Sequence, residues 1–218
     1  LNTTHALLAR YLVMLGGNND AVFYAGLVDQ TKKSVFNYDD LTRNPIWDQA
    51  FSNTNVVQPV DSALGLPAGL APDPADKRVL FYLKSKTPSA TGVYSGKGFW
   101  TANSAAVPVY LPGEMTLLIA EEYARNGFLN EAVNELNKIL TKTTDAFGIG
   151  AGLPAYSGAM DKDAILQEIY RNRCIELFMS GMRLEDCRRF NRPAPTLNGS
   201  TLENATERNR VWYPYPNA

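Results

Sequence analysis

Residues 93–104 read VYSGKGFWTANS, an aromatic run broken by two glycines. Trp47, Phe51, Phe81, Tyr82, Tyr94, Phe99 and Trp100 all fall in the same part of the chain, between two helix-like regions. A sugar ring presents an apolar face of C–H groups that a flat aromatic can cover, while its rim hydroxyls need a few well-placed polar groups. Tyr82, Tyr94, Phe99 and Trp100 are candidates for the first task, Lys97 and Asn103 for the second. The glycines would open the rings to solvent. The expectation is a shallow platform on which Tyr82, Tyr94 or Trp100 expose neighbouring faces. The competing reading is that Phe99 and Trp100 plug the loop onto a helical core. Trp47 and Phe51 are four apart and fit one core-facing helical face.

Groups for catalysis are sparse. His5 is the only histidine and stands near a helix start, which leaves no Ser-His or Cys-His system. Neither a Gly-x4-Gly-Lys loop nor a dinucleotide fingerprint occurs. Glu121 and Glu122 are adjacent, so on a helix they point about 100° apart. They cannot face each other across a glycosidic bond as a hydrolase would need, and a solvated helix face is expected. Asp73 and Asp76 fall far short of a calcium cage. On one helix Cys174 and Cys187 would lie about 20 Å apart, too far for a disulfide, so two free thiols are expected. The residues thus predict no enzyme, no cofactor and no metal. With 21 basic and 22 acidic residues the net charge is −1, which argues against nucleic acid or an anionic membrane as partner. No apolar run approaches the roughly 18 residues needed to cross a bilayer.

The elements that must position these residues are mostly helical. Two segments 111 residues apart match: LLARYLVMLGGNNDAVFYAGLV (residues 7–28) and LIAEEYARNGFLNEAVNELNKI (residues 118–139). Ala9 falls on Ala120, Gly16 on Gly127, Asn19 on Asn130, Ala21 on Ala132 and Val22 on Val133. Each segment reads as helix, glycine stop, helix. Small residues flanking the glycine permit the close approach that a tetratricopeptide-type hairpin demands. Helical pairs are therefore expected at about 3–33 and 113–143, with Ala9 and Ala120 at close contacts. Between them, residues 44–112 form a loop-rich insertion. Within it, RVLFYLKS (residues 78–85) reads as β-like, and long excursions of this kind are more often functional than connective. A C-terminal helix and tail follow at about 161–218, with an Asn198-Gly199 hairpin signal. The fold class is mainly α, with little β structure.

Residues 168–190, EIYRNRCIELFMSGMRLEDCRRF, carry five arginines and four acids. Spacing allows surface pairs of Arg173 with Glu176, of Glu185 with Arg188 or Arg189, and of Asp186 with Arg189. Exposed pairs contribute only about 0.3–0.5 kcal/mol each, too little to call for five arginines. Some must brace the tertiary structure, and Arg183 and Asp186 are expected to brace a turn at Gly181.

The order Arg173, Glu176-Leu177, Gly181, Arg183, Asp186, Arg189 resembles the C-terminal signature of the SusD/RagB family, the surface glycan-binding lipoproteins of Bacteroidetes. Asn172, Cys174, Ser180 and Cys187 stand where Glu, Arg, Glu and Leu are common in that pattern. VPVYLPGEMTLLIAEEYARNG (residues 107–127), LLARYLVMLGG (residues 7–17) and the closing WYPYP (residues 212–216) resemble the family in the same order. The resemblance implies an α-helical repeat scaffold with an irregular ligand face. It implies a glycan ligand, a SusC-like TonB-dependent transporter as partner, and an outer-membrane, cell-surface location. It also implies that the chain is the C-terminal part of a longer lipoprotein, whose lipid-bearing N-terminal portion is absent from this sequence. A helical-repeat scaffold for another polypeptide, with no sugar site, is the alternative.

Overall fold

The computed structural model describes residues 1–52, 59, 61–85 and 94–192, and the backbone of short strands at 196–198 and 201–203. Two helical hairpins dominate, α1 (Asn2–Met14) with α2 (Asn18–Gly26), and α4 (Pro112–Arg125) with α5 (Leu129–Leu140). Their turns are the same turn. The Gly17 N–H donates to the Leu12 carbonyl (2.8 Å) and the Phe128 N–H to the Tyr123 carbonyl (2.9 Å), the long closing bond of a Schellman stop. Gly16 and Gly127 hold φ of 79° and 83°, a conformation that strains any residue with a Cβ. Ala9, Ala21, Ala120 and Ala132 are all fully buried, so the matched small residues do sit at close helix contacts.

The first hairpin stacks on α4: Ala6, Ala9, Ala21 and Ala25 share a core with Met115 and Leu118. On its other side α4 packs with α5 and α6 (Lys162–Glu176), burying Leu117, Leu136, Ile165 and Ile169. Pro112 opens α4 at a position where its missing N–H costs nothing. The Asp161 carboxylate caps α6, accepting from the Ala164 N–H at 3.0 Å. A short α7 (Arg183–Arg189) follows. Among the described residues β structure is limited to two-stranded pairs: β1 (Val35–Phe36) with β4 (Val107–Pro108), β2 (Leu83–Ser85) with β3 (Tyr94–Gly96), and β5 (Thr196–Asn198) with β6 (Thr201–Glu203). Asn198 is the last residue of β5 and pairs with Thr201; Gly199 of the Asn-Gly signal lies outside the described residues. No helix among the described residues is long and apolar enough to cross a membrane.

Three sequence expectations are corrected. The stretch at residues 78–85 is not a continuous strand, because a helical turn, α3 (Lys77–Tyr82), precedes β2. The Asp76 side chain caps that turn through the Arg78 N–H, and the Arg78 side chain goes inward. Glu121 and Glu122 are not on a solvated face: both are buried, because α4 is covered by helices on two sides. Finally, Arg173 does not pair with Glu176. Both are buried in α6, so each takes a tertiary partner, since a buried charge without one is costly.

Those partners explain the arginine-rich stretch. Arg173 forks onto Asp186 (3.0 and 2.9 Å), and Arg189 bridges Asp186 (2.6 Å) to Glu121. Glu176 receives Arg78 on one oxygen (3.1 Å) and Lys142 on the other (2.5 Å). Arg78 also holds Asp76 (2.7 Å) and Asn172 (2.8 Å). Glu185 and Arg188 pair as expected from their spacing. Arg183 donates to the Gly65 carbonyl (2.8 Å), tying the stretch to the insertion, while Gly181 makes its turn at φ 85°. Neither cysteine is in a disulfide and both are buried, and burial pushes Cys174 up to about 12, which leaves it unreactive.

Candidate functional site

Strand β4 and the segment after it, Val107–Leu111, lead into α4 along one wall of a cavity of about 220 Å³. Tyr82, at the end of α3, and Phe99 and Trp100, in the turn after β3, form a second wall. Leu177 to Ser180, after α6, form a third, and Phe36 and Tyr38 also line it. Phe36 is more than half exposed, which puts it at the rim. Arg10 of α1 and Glu114 of α4 supply the charged groups.

The glycines of residues 93–104 work in the direction opposite to the sequence expectation. They close the loop rather than opening it. A Cβ on Gly96 would sit 2.7 Å from the Trp100 Cβ and 2.8 Å from a Phe51 ring carbon. Gly98 has φ 56°, and its Cβ would sit 2.6 Å from the Phe81 ring. The backbone therefore doubles back tightly, with the Trp100 N–H on the Lys97 carbonyl at 2.9 Å, and the rings turn inward. Tyr82, Phe99 and Trp100 are all buried, so the solvent-exposed platform is not found. Phe99 meets Phe81 and Trp100 edge-to-face at 5.4 and 5.7 Å, a favoured aromatic geometry.

The cavity brings together three of the six candidate residues, Tyr82, Phe99 and Trp100, as wall. The other three lie outside its lining. Tyr94 is half-buried against the core around these rings. Lys97 donates to the Leu80 carbonyl at 2.9 Å, and Asn103 donates to Asp40 at 2.7 Å. Trp47 is half-buried beneath the Arg43 guanidinium, 5.3 Å from its ring centre.

Polar groups at the cavity are mostly committed to the fold. Arg10 forks onto Glu114 through two 2.6 Å bonds and reaches the Val109 carbonyl at 2.9 Å. Burial works against the Arg10 charge, but bonding to Glu114 raises its pKa above the ordinary arginine value. Glu114 also sits in the first turn of α4, where the helix dipole favours an anion. Tyr82 donates to the Glu176 carbonyl at 2.6 Å. Burial, then the Glu176 charge, push its hydroxyl well above the usual range, so it stays protonated. Within the lining, the Trp100 indole Nε1 is buried with no partner among the described residues. Aromatic walls and a fixed ion pair suit the binding of a ring with a polar edge. The lining carries no nucleophile and base in bonding contact, the arrangement that covalent chemistry needs.

Sequence reasoning missed Arg10, Glu114, Phe36 and Tyr110 of this lining. Arg10 and Glu114 lie 104 positions apart, with no local spacing to join them. It also missed Asn44, which is fully buried. Its side chain donates to the Phe99 and Ala105 carbonyls and accepts from the Ile46 and Trp47 N–H groups, all at 2.9–3.0 Å. An Asn-Pro step followed by a short turn was the available signal.

No protein-family model and no curated protein matches the chain. Solved structures do. A SusD-like carbohydrate binding protein from Bacteroides vulgatus superposes with a TM-score of 0.61 at 17% identity, over 85% of this chain and 44% of that one. A SusD superfamily protein from Bacteroides fragilis gives 0.59 at 16% identity, over 91% and 49%. The fold is that of SusD superfamily proteins. A further SusD superfamily protein from Bacteroides vulgatus matches at 0.57 and 18% identity, over 87% and 51%. The chain spans about half the length of these SusD-fold structures.

Proposed function

We propose that the chain is part of a surface glycan-binding protein, which captures oligo- or polysaccharide and passes it to a TonB-dependent outer-membrane transporter. The observation that carries this reading is the aromatic-walled cavity, in a fold shared with a SusD-like carbohydrate binding protein. The proposed contact set is Phe36 and Tyr38 with the Trp100 wall. Phe99 and Tyr82 support that wall from behind. In this reading the protein binds and does not turn over: Glu114, the carboxylate of the cavity lining, is held in a fork by Arg10. Anchoring at the outer membrane through a lipid on an N-terminal portion belongs to the same proposal.

A glycan screen on the protein, followed by calorimetry with the polysaccharide it retains, tests the reading. Phe36→Ala and Tyr38→Ala should each weaken that binding about tenfold, the scale of a lost stacking contact, with the melting temperature nearly unchanged. Full-strength binding by both variants would remove the cavity from the site.

A further inference from the structure

The aromatic cavity has an apolar neighbour. A trough of about 420 Å³ opens beside it, walled by Pro45, Ile46, Ala50, Leu177 and Met179. Ile46, Leu177 and Met179 line both spaces, so they form the partition between them. Met179 also borders a third space, of about 150 Å³, together with Leu64, Cys174 and Met182.

Met179 is the movable part of this partition. It is half-buried, its side chain is unbranched and adaptable, and open space meets it on three sides. Its φ is 59°, a left-handed conformation that strains a residue with a Cβ. Strain of this kind persists only where the surroundings impose it, and it gathers at ligand sites.

The two spaces differ in chemistry. Tyr82, Phe99 and Trp100 give the cavity flat faces. Among the described residues the trough has no aromatic ring, and its polar members are Gln49 and Arg183. Arg183 is engaged by the Gly65 carbonyl at 2.8 Å and lies over the Tyr170 ring, 5.5 Å from its centre. A second sugar ring in the trough would bring its hydroxyls to walls with few groups to bond them, which is costly. An aliphatic chain loses nothing there and gains in proportion to the apolar area it covers.

We infer that the site takes an O-acylated glycan, with the sugar ring in the aromatic cavity and its acyl chain in the trough. Met179 lies between them as the residue that sets the chain length admitted, and the third space gives its side chain room to withdraw. Within a polysaccharide the anomeric carbon is used by the linkage, so a chain on the ring is carried as an ester of a ring hydroxyl. The inference rests on the glycan reading and narrows it to a substituted sugar.

The test is calorimetry with the acetyl, butanoyl and hexanoyl esters of methyl glucoside at its primary hydroxyl. Affinity should rise at least tenfold from acetyl to hexanoyl. Ala50→Leu, which fills the trough, should flatten that rise, and Gln49→Trp at the exposed edge repeats the test if Ala50→Leu unfolds the protein. Met179→Gly relieves the backbone strain and removes the partition, so it should tighten the hexanoyl ester more than the acetyl ester. An equal effect on the two esters overturns the role of Met179. A rise that survives both trough variants overturns the inference, as does equal or absent binding along the series. A flat series that Phe36→Ala weakens throughout removes the acyl chain and leaves the glycan reading standing. A rise matched by hexanamide and untouched by Phe36→Ala and Tyr38→Ala assigns the trough to a free aliphatic ligand and overturns both.

Discussion

Two glutamates buried in the helical stack are treated in opposite ways. Glu176, at the end of α6, has a cation on each oxygen. Gly113 of α4 comes so near that a Cβ there would overlap its carboxylate. Burial alone would raise the Glu176 pKa, but Lys142 and Arg78 more than offset it and hold the group below the usual carboxylate range. Glu122, one face of α4 away, is equally buried but has a carboxylate oxygen with no partner. Burial, then the neighbouring Glu121 charge, raise it to about 7. Its neighbour Glu121 takes the nearby arginines. The contrast separates a charge that fastens the stack from one that the stack merely tolerates.

The largest effect should come from the fastening charge. Glu176→Ala leaves Arg78 and Lys142 short of a partner at a site where Arg78 is fully buried, and should cost about 3–5 kcal/mol in urea denaturation. A loss below about 1 kcal/mol would mean that Asp76, bonded to Arg78, and Asp145, paired with Lys142 at 2.9 Å, suffice, and the comparison would collapse.

Glu122→Gln should act in the other direction. A raised folded pKa contributes stability below the unfolded value, and this is lost as pH rises through the folded value. Glu122 should therefore cost the protein stability between about pH 4.5 and 7, with Glu176 and Asp186 showing the opposite dependence at acid pH. The glutamine variant should match the parent near pH 4 and exceed it by about 1–3 kcal/mol at pH 8, the scale of a pKa raised from 4.5 to about 7. A difference independent of pH would assign the gain to packing instead.

The smallest predicted effect is a control on the same helix. Gly127→Ala meets no atom within 4 Å but must hold φ near 83°, so it should cost about 1 kcal/mol at every pH. If it altered the pH profile as well, the Glu122 effect would reflect general loosening of the end of α4.

Local rules were legible and long-range ones were not. The hairpins could be read because Gly16, Gly127 and the small residues around them act within a few positions. The charge network was not, since Arg78 meets Asn172 and Glu176 at separations of 94 and 98. Its neighbours Val79 to Tyr82 pattern equally well as strand or helix. The candidate site was half legible. Aromatic content singled out Tyr82, Phe99 and Trp100, but glycine has two uses, openness and close approach, and only the positions of Phe51 and Phe81 decide between them.

The pairing of Val35 with Pro108 and of Phe36 with Val107 pins both ends of the excursion at residues 37–106, beside the helical stack. A chain segment clamped at its base has already met its closure entropy, and each doubling of its length then adds only about 0.6 kcal/mol. Insertions and deletions are therefore cheap only in the stretches of the excursion that pack against nothing, whereas the same change inside a hairpin would shift every small residue out of register. Asn44, Arg78, Tyr82, Phe99 and Trp100, buried inside the excursion, are points where it is held as firmly as the hairpins, so length can drift between these anchors and not across them.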